Sequence, residues 1–372
     1  MATAQAVTAR GTSYFSHKWI IDSGDDLTWF ILSVVSSYAL LVMFTTLHWS
    51  PVVLLFAWAI VFDGPHVFGT FSRTYFDNEE RKARAKLLWG ALLFFALGPV
   101  MVIAGLGLYF FFFASLWAYY HLVKQHYGFM VLYKKKNADL DPIDNFADRF
   151  FLLAGLTYPF LHYIVYYRYT IADASDKNHL DMVARVPRAE LLSPSFAQSI
   201  DTFVWWVFVA SAIFFGARQL QRLFTGRSLN LPKYLLLAAA IPLHWAVLFS
   251  SITIIGIAPV LTIWHNIQYH RLIWFHNKNK YQSKDRAKDD AKKRSFGLAS
   301  SISKSFVFYA ICGLLFNLVY HIPRGVVIAY AGATGILASF FWGFAFIHYY
   351  LDSKIWRVRR DPALGKSLNI AQ

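Results

Sequence analysis

Long apolar segments alternate with short polar or basic segments along almost the whole chain. Most of the apolar segments are close to the ~20 residues that an α-helix needs to cross a bilayer. The pattern predicts an all-α, polytopic membrane bundle of about ten transmembrane helices. The predicted spans are 27–49, 51–70, 87–106, 108–133, 148–168, 201–221, 233–251, 253–276, 303–321 and 326–351.

These spans predict one transmembrane domain, 27–351, between an N-terminal segment, 1–26, and a basic tail, 352–372. Two connections are longer than the others: an outer loop, 169–200, and a charged loop, 277–302. The outer loop is expected to be either a lid or a packing cap. The first span is expected to be retained, because the residues before it lack the basic start, apolar core and cleavage site of a signal peptide.

The composition supports a membrane protein. Apolar residues make up 57% of the chain and charged residues 15%, whereas an ordinary soluble domain has about 25% charged residues. One soluble core could not hide so much apolar surface, so a soluble globule and a disordered chain are both excluded. The single cysteine, Cys312, excludes an intramolecular disulfide framework and a cysteine zinc cluster.

The net charge of +15 is a signal of topology. Of the 36 Lys and Arg residues, 29 fall in alternate segments between the predicted spans, which is the positive-inside pattern. This pattern predicts that both termini are cytoplasmic and that the number of spans is even. The expected partner of the basic residues is therefore the lipid bilayer and not nucleic acid, and we expect a bacterial inner-membrane protein.

Histidine is unusually frequent in the predicted spans. The chain has 13 His but only three Glu, and seven of the histidines are predicted to lie at a similar depth near the cytoplasmic face. Imidazole is the commonest metal ligand and brings no charge into the membrane. The pattern predicts a metal centre there, with candidate ligands His66, His121, His126, His265, His270, His276 and His348.

Two of the predicted helices carry histidines five residues apart: His121 with His126, and His265 with His270. Five residues advance an α-helix by about 140° net, so such a pair does not share one face. Either a π-type widening brings the two rings together, or one ring of each pair faces elsewhere. The alternative for any single histidine is a packing role, bonded to a carbonyl or a tyrosine.

Acidic residues at helical spacing strengthen the prediction of a metal centre. Asp63 precedes His66 by three residues, and Asp352 follows His348 by four. Each carboxylate is expected on the same helix face as its histidine, either as a metal ligand or as the group that orients the imidazole. Asp63, Asp352 and Tyr269 are also the candidate catalytic residues.

Other metal chemistries lack their motifs in this sequence. No glutamate lies in a predicted span, which excludes a di-iron carboxylate bundle. The zincin motif His-Glu-x-x-His is absent. The His-x-x-x-His and His-x-x-His-His boxes of the classical membrane desaturases are absent too.

The segment Phe62-Asp63-Gly64-Pro65-His66-Val-Phe-Gly resembles the Pro-His-Gly region of the Brp/Blh-type β-carotene-cleaving oxygenases. The Asp-His that follows in that family is absent here, and the paired histidines differ in spacing. The resemblance implies a polytopic membrane fold with dispersed histidines that hold non-haem iron. It implies a class of chemistry and not a particular substrate.

The sequence therefore predicts a histidine-coordinated oxygenase or oxidase with one or two iron ions. Its expected substrate is lipid-soluble, such as a fatty acyl lipid, a carotenoid or another isoprenoid. A basic cytoplasmic surface is expected to dock an acidic electron donor. Three alternatives stay open: a membrane haem cytochrome, a zinc-dependent membrane hydrolase, and a transporter coupled to metal or protons.

Overall fold

A computed structural model describes residues 14–170, 186–250, 252, 254–282 and 295–370. This part of the chain is almost entirely helical. The strands described are Phe15–Ser16 and Leu229–Asn230, which pair in parallel. Ten long helical segments, named α1 to α10, follow one another: Ser23–Thr45, Pro51–Thr74, Ala85–Ile103, Gly107–Lys136, Pro142–Tyr169, Pro194–Phe224, Leu231–Leu248, Ile254–Tyr281, Phe306–Ala331 and Ile336–Ile355.

Several of these segments change helix type or break along their length. The α-helical parts are Ser23–Asp25 and Val34–Thr45 in α1, Pro51–Trp58 and Gly64–Thr74 in α2, Ala85–Ala91 and Phe94–Ile103 in α3, Pro142–Val165 in α5, and Phe306–Leu315 and His321–Ala331 in α9. The π-helical turns are Asp26–Ile31, Ala59–Asp63 and Tyr166–Thr170, and Phe316–Leu318 is a 3₁₀ turn. Shorter elements are Asn78–Ala83, Ala189–Leu191, Leu298–Ile302 and Pro362–Ser367.

Seven of the long segments are long and apolar enough to cross a membrane: α1, α2, α3, α5, α6, α7 and α9. The prediction of an all-α membrane bundle is therefore confirmed in class. The other three, α4, α8 and α10, carry six of the seven predicted histidine ligands. Apolar side chains on the outer helices are exposed, as expected for contact with lipid; Phe203, Trp206 and Ile213 of α6 are each more than 60% exposed.

α8 is central to the bundle and is held by carbonyls in the π-helical turns. Trp264 and Gln268 of α8 both donate to the carbonyl of Phe30, at 3.1 and 2.7 Å. His270 Nε2 lies 3.2 Å from the carbonyl of Phe62. Because a π-turn departs from the regular α-helical hydrogen-bond pattern, these carbonyls can accept bonds from another helix. The two turns thereby fix α8 against α1 and α2.

The turn between α3 and α4 confirms the predicted break near 107. Gly105 adopts φ +75°, in the left-handed region, and lets the chain reverse within a few residues. The amide of Leu106 donates to the carbonyl of Met101 at 2.8 Å, which caps the end of α3.

The boundary between the last two predicted spans was wrong. The sequence prediction ended a span at 321 and began the next at 326, whereas α9 runs to Ala331 and α10 begins at Ile336. Pro323 lies in the first turn of His321–Ala331, where its missing N–H removes no intrahelical bond. Gly332, at φ +82°, lies at the end of that helix instead.

The predicted segments outside the bundle also need correction. The charged loop starts later than 277, since α8 continues to Tyr281. The basic tail is packed, because Leu364, Leu368 and Ile370 are buried around the helix Pro362–Ser367. The central parts of the two long loops, 171–185 and 283–294, lie outside the described residues. The expectation that the outer loop is a lid or a packing cap falls on such residues.

A buried ion-pair network joins the ends of α4, α5, α6 and α7. Lys233 Nζ lies 2.9 Å from Asp139 and 3.0 Å from Asp148. Lys134 also pairs with Asp148, and Arg222 lies 2.6 Å from Asp139. Since buried charges are costly unless they are paired, this network fixes how these helix ends meet.

Candidate metal centre

Four histidines from four helices converge in the interior. His66 of α2, His121 of α4, His265 of α8 and His348 of α10 are all buried. Each offers a ring nitrogen, and these four atoms lie within 4.8 Å of one another. We call this group the four-histidine cluster. It is the feature from which the rest of the site is built.

The rings approach each other closely. His66 Nε2 lies 3.1 Å from His265 Nε2. The ring centroid of His348 is 4.4 Å from that of His66 and 4.7 Å from that of His121. The His121 and His265 centroids are 5.2 Å apart. The imidazoles are inclined to one another by at least 57°, so they face a common volume and do not stack.

The unpaired nitrogen atoms of the cluster indicate that it can bind a metal ion. Each ring has a buried nitrogen without a hydrogen-bond partner in the described part of the chain: His66 Nδ1, His121 Nε2, His265 Nδ1 and His348 Nε2. Each ring therefore keeps one unpaired nitrogen, and because buried polar atoms are normally paired, such atoms call for a ligand. Metal–imidazole bonds of ~2.1 Å put opposite donors about 4.2 Å apart. Small shifts of the rings therefore suffice to bind one ion.

The local structure of α2 explains why His66 follows a Gly-Pro step. The π-turn Ala59–Asp63 ends directly before Gly64, and Pro65 has no N–H to donate back into it. Asn317 compensates by donating to the carbonyl of Ile60 at 2.9 Å. A Cβ on residue 64 would lie 2.0 Å from Asn317 Oδ1, so only glycine permits this approach.

A second polar layer lies one helical turn after the histidines. Each cluster histidine is followed four residues later by a polar residue on the same helix face: Thr70, Gln125, Tyr269 and Asp352. Three of these side chains bond to one another. Thr70 Oγ1 lies 2.7 Å from both Tyr269 OH and Asp352 Oδ1, and Tyr269 OH lies 2.9 Å from Asp352 Oδ1.

Thr70 also bonds to the cluster, with its Oγ1 2.7 Å from His348 Nδ1. A hydroxyl donates one proton and accepts others, whereas a carboxylate only accepts. Thr70 therefore donates to Asp352, and His348 Nδ1 must donate to Thr70. This leaves the Nε2 lone pair of His348 available to a metal ion. A ligating histidine is commonly oriented in this way by the group beyond it.

Gln125 and Tyr349 complete the frame around His121. Gln125 donates to the backbone carbonyl of His265 at 2.8 Å, which ties α4 to α8 beside the cluster. The Tyr349 ring stacks on His121, with centroids 4.5 Å apart and planes inclined by 24°. Together these contacts restrict the rotation of the His121 ring.

The structure places Asp63 differently from the sequence expectation. Its carboxylate contacts His321 of α9, whose Nε2 lies 2.9 Å from Asp63 Oδ2. His66 was the expected partner. The bond to His321 crosses between two helices, and a partner of that kind is invisible to spacing along one helix. Asp352 also falls short of a direct bond with His348, at 3.8 Å, because Thr70 lies between them.

Three of the predicted histidine ligands lie outside the cluster: His126, His270 and His276. α4 and the described part of α8 are regular α-helices around the paired histidines, so the five-residue spacing turns the second ring away. His270 contacts the carbonyl of Phe62, and His276 Nδ1 lies 2.7 Å from Ser367 Oγ. The contacts of these two histidines are those expected of packing residues.

His126 is different, because neither of its ring nitrogens has a hydrogen-bond partner within the described ranges. Its ring lies 5.6 Å from that of His244 and 4.7 Å from that of Trp264. His244 is held by Tyr119, with His244 Nδ1 2.8 Å from the tyrosine hydroxyl. The pair lies beside the cluster but contributes no atom to it.

Two cavities reach the cluster. One, of about 360 Å³, is lined mainly by apolar side chains and borders all four cluster histidines; we call it the apolar cavity. The other, of about 650 Å³, borders His121, Tyr269 and Asp352 and carries several Lys and Arg side chains; we call it the basic cavity. His121 and Tyr349 line both cavities and so form part of the wall between them.

Sequence reasoning named Gln125 as a residue that could orient a ligand, but it missed Thr70, Tyr349 and His321. A signal for Thr70 was present, since His-x-x-x-Thr at 66–70 repeats the spacing of His348 and Asp352. Tyr349 and His321 carry no such signal, because their contacts cross between helices.

The fold and the site together define a helical membrane protein with a buried four-histidine cluster. Comparisons of the chain with protein-family models, with curated proteins and with solved structures found no match.

Proposed function

We propose that this protein is a membrane-embedded metalloenzyme. It would hold iron on His66, His121, His265 and His348 and use dioxygen to oxidise a lipid-soluble substrate. The observation that carries the proposal is the convergence of four buried imidazole nitrogens within 4.8 Å. The resemblance of residues 62–69 to an iron oxygenase motif supports iron as the metal. When bound, iron supplies a redox-active centre for reaction with dioxygen.

The surrounding residues support this chemistry. Thr70 and Asp352 hold His348 in the tautomer that a metal requires. The four imidazoles are neutral, so a divalent ion would bring two positive charges into a medium of low dielectric constant. Asp352 is linked to His348 through Thr70, and Asp63 lies at the edge of the apolar cavity. The negative charges of these two carboxylates offset that cost.

The apolar cavity is the proposed site for the reacting part of the substrate. It borders all four cluster histidines and is walled by residues such as Phe56, Leu122, Phe160 and Leu261. Such walls favour a hydrocarbon and exclude bulk water from the reacting atoms. A fatty acyl chain or an isoprenoid fits this description.

We propose that all ten long segments cross the membrane, with both termini in the cytoplasm of a bacterial cell. The distribution of basic residues supports this orientation, since 29 of 36 lie in the predicted cytoplasmic segments. In this topology the four-histidine cluster is near the cytoplasmic face.

The geometry favours a bare ion over haem. Axial ligands of a haem approach from opposite faces of the porphyrin, whose ring occupies the plane between them. Here two further histidine nitrogens lie in the same small volume, which a porphyrin ring would have to occupy.

The test is elemental analysis together with an optical spectrum of the protein purified in a neutral detergent without chelators. We expect about one iron per chain and no Soret band. A Soret band would identify a cytochrome, and stoichiometric zinc would identify a hydrolase. Protein free of transition metal would overturn the proposal of a metalloenzyme.

A further inference from the structure

The basic cavity collects five cationic side chains. Lys124 and Lys135 come from α4, and Arg357, Arg359 and Arg360 come from the segment after α10. Among the described residues, none of the five has an acidic side chain within ion-pair distance. The one acidic residue lining the cavity, Asp352, is already bonded to Thr70 and Tyr269.

These cations crowd one another. Lys124 is repelled by both Arg149 and Arg357, and its Nζ lies over the Tyr127 ring at 4.5 Å. Arg357 is held in place because its Nε donates to the carbonyl of Ser353 at 2.7 Å. Lys124, Lys135 and Arg357 are half-buried, whereas Arg359 and Arg360 are exposed. Half-buried like charges are costly to bring together, and a bound anion removes that cost. The guanidinium of Arg357 keeps further N–H groups for such an anion.

The wall of the same cavity also carries apolar and aromatic side chains. Trp117, Leu132 and Leu272 line it, and Tyr120 lies at its margin with 57% of its surface exposed. The cavity then continues to His121 at the edge of the cluster. A volume of about 650 Å³ is within the range of sites that enclose a whole small ligand.

We propose that the basic cavity binds the phosphate or carboxylate group of a single-chain amphiphile. The hydrocarbon chain lies along the aromatic wall and extends past Tyr349 toward the four-histidine cluster. The inference rests on the proposed function in one respect, because it makes this anionic amphiphile the substrate class of the enzyme. A neutral hydrocarbon such as a carotene lacks the group that the five cations recognise.

The test measures binding of radiolabelled dodecyl phosphate to the full-length protein in dodecyl maltoside. Laurate, dodecanol and inorganic phosphate compete in separate arms. We expect laurate to compete, and dodecanol and inorganic phosphate each to compete at least roughly tenfold more weakly, since each supplies only half of the recognition. Equal competition by inorganic phosphate would reduce the cavity to a free-anion site, and equal competition by dodecanol would make its charges irrelevant; either result overturns the proposal.

Variants locate the binding site. Arg357→Gln and Lys124→Gln are each expected to weaken dodecyl phosphate binding about tenfold, the usual effect of losing one charge-assisted hydrogen bond. Lys354→Gln is the matched control, because Lys354 belongs to α10, carries the same charge and does not line the cavity. Unchanged affinity in both cavity variants would overturn the proposal.

Metal analysis of the same samples separates this inference from the proposed function. If protein without iron binds dodecyl phosphate in a way that depends on Arg357, the proposed anion site is supported and the proposed enzyme function is rejected. If iron-loaded protein binds dodecyl phosphate equally well after substitution of Arg357 or Lys124, the amphiphile proposal is rejected and the proposed enzyme function is retained.

Discussion

Thr70 Oγ1 lies 2.7 Å from His348 Nδ1 and 2.7 Å from Asp352 Oδ1, so one hydroxyl joins a cluster histidine to a carboxylate. Asp352 follows His348 by one helical turn, yet its nearest carboxylate oxygen is 3.8 Å from His348 Nδ1, too far for a hydrogen bond. The threonine of another helix is therefore the residue that orients His348. This relay leads to the first prediction.

Thr70→Val removes the hydroxyl and keeps the shape of the side chain. We expect metal affinity to fall about 10- to 100-fold, the usual effect of losing the outer partner of a ligating histidine. Thr70→Ser keeps the hydroxyl and should stay within a few-fold of the parent protein. Metal titration followed by elemental analysis measures both variants. Equal affinities for valine and serine would show that the relay does not orient the ligand.

The four cluster histidines should differ from the other three candidates in metal binding. His66→Ala and His265→Ala are each expected to lower metal affinity by roughly 100-fold or more, beyond the loss from an outer partner. His276→Ala should retain the metal, because His276 contacts Ser367 and contributes no atom to the cluster. The measurement is the metal content per chain after gel filtration, with circular dichroism as a check on folding. Metal retained in both cluster variants would move the site elsewhere.

The close approach of Asn317 to Gly64 predicts a specific steric effect. Gly64→Ala places a Cβ 2.0 Å from Asn317 Oδ1 and should destabilise the protein by ~1–3 kcal/mol, as overpacking does. Asn317→Ala removes the obstructing atoms but also the hydrogen bond to Ile60. The double variant should therefore be more stable than the sum of the single losses implies. Thermal unfolding in detergent provides the comparison, and additive losses would contradict the contact.

The ion-pair network predicts a dependence of stability on pH. Burial raises the pKa of Asp139, but the charges of Lys233 and Lys134 outweigh it and lower that pKa from 3.8 to about 2. A carboxyl whose pKa is lower in the folded state stabilises the fold above the unfolded value, near pH 4. That contribution is lost as the pH falls through about 2.

The variant that tests this dependence is Asp139→Asn. Above pH 4 it should lower the free energy of unfolding by on the order of 2 kcal/mol, and the gap to the parent protein should narrow as the pH approaches 2. Thermal unfolding from pH 7 to pH 2 follows the gap. A gap of constant size would mean that the charge of Asp139 does not contribute to stability.

The sequence was informative about helices because a membrane helix satisfies its own backbone hydrogen bonds, so its position depends mainly on a local apolar run. The turn at Gly105 was predictable for the same local reason. The end of α9 was not, because Pro323 was compatible with either a break or a first helical turn. In the structure Pro323 lies in a first helical turn, and α9 packs against α2 through contacts such as that of His321 with Asp63.

The site was predictable in part. The four cluster histidines are among the seven candidates selected by predicted depth in the membrane, and the spacing argument left open that one ring of each pair faces elsewhere. The recurring His-x-x-x-polar pattern at His66, His121, His265 and His348 was present in the sequence. Its meaning depends on the helices meeting, since only then do Thr70, Tyr269 and Asp352 bond to one another.

The amino-acid sequence by itself determined that the chain is a helical membrane protein with histidines concentrated in its long helices. Apolar length and composition are properties of each segment alone, and they need no knowledge of its neighbours. The tertiary structure alone decided which histidines converge, because the rotation of each helix about its axis is set by packing against other helices. The pairing of Asp63 with His321 and the separation of an apolar from a basic cavity arise at the same level. Both depend on side chains that are far apart in the sequence and meet only in the folded bundle.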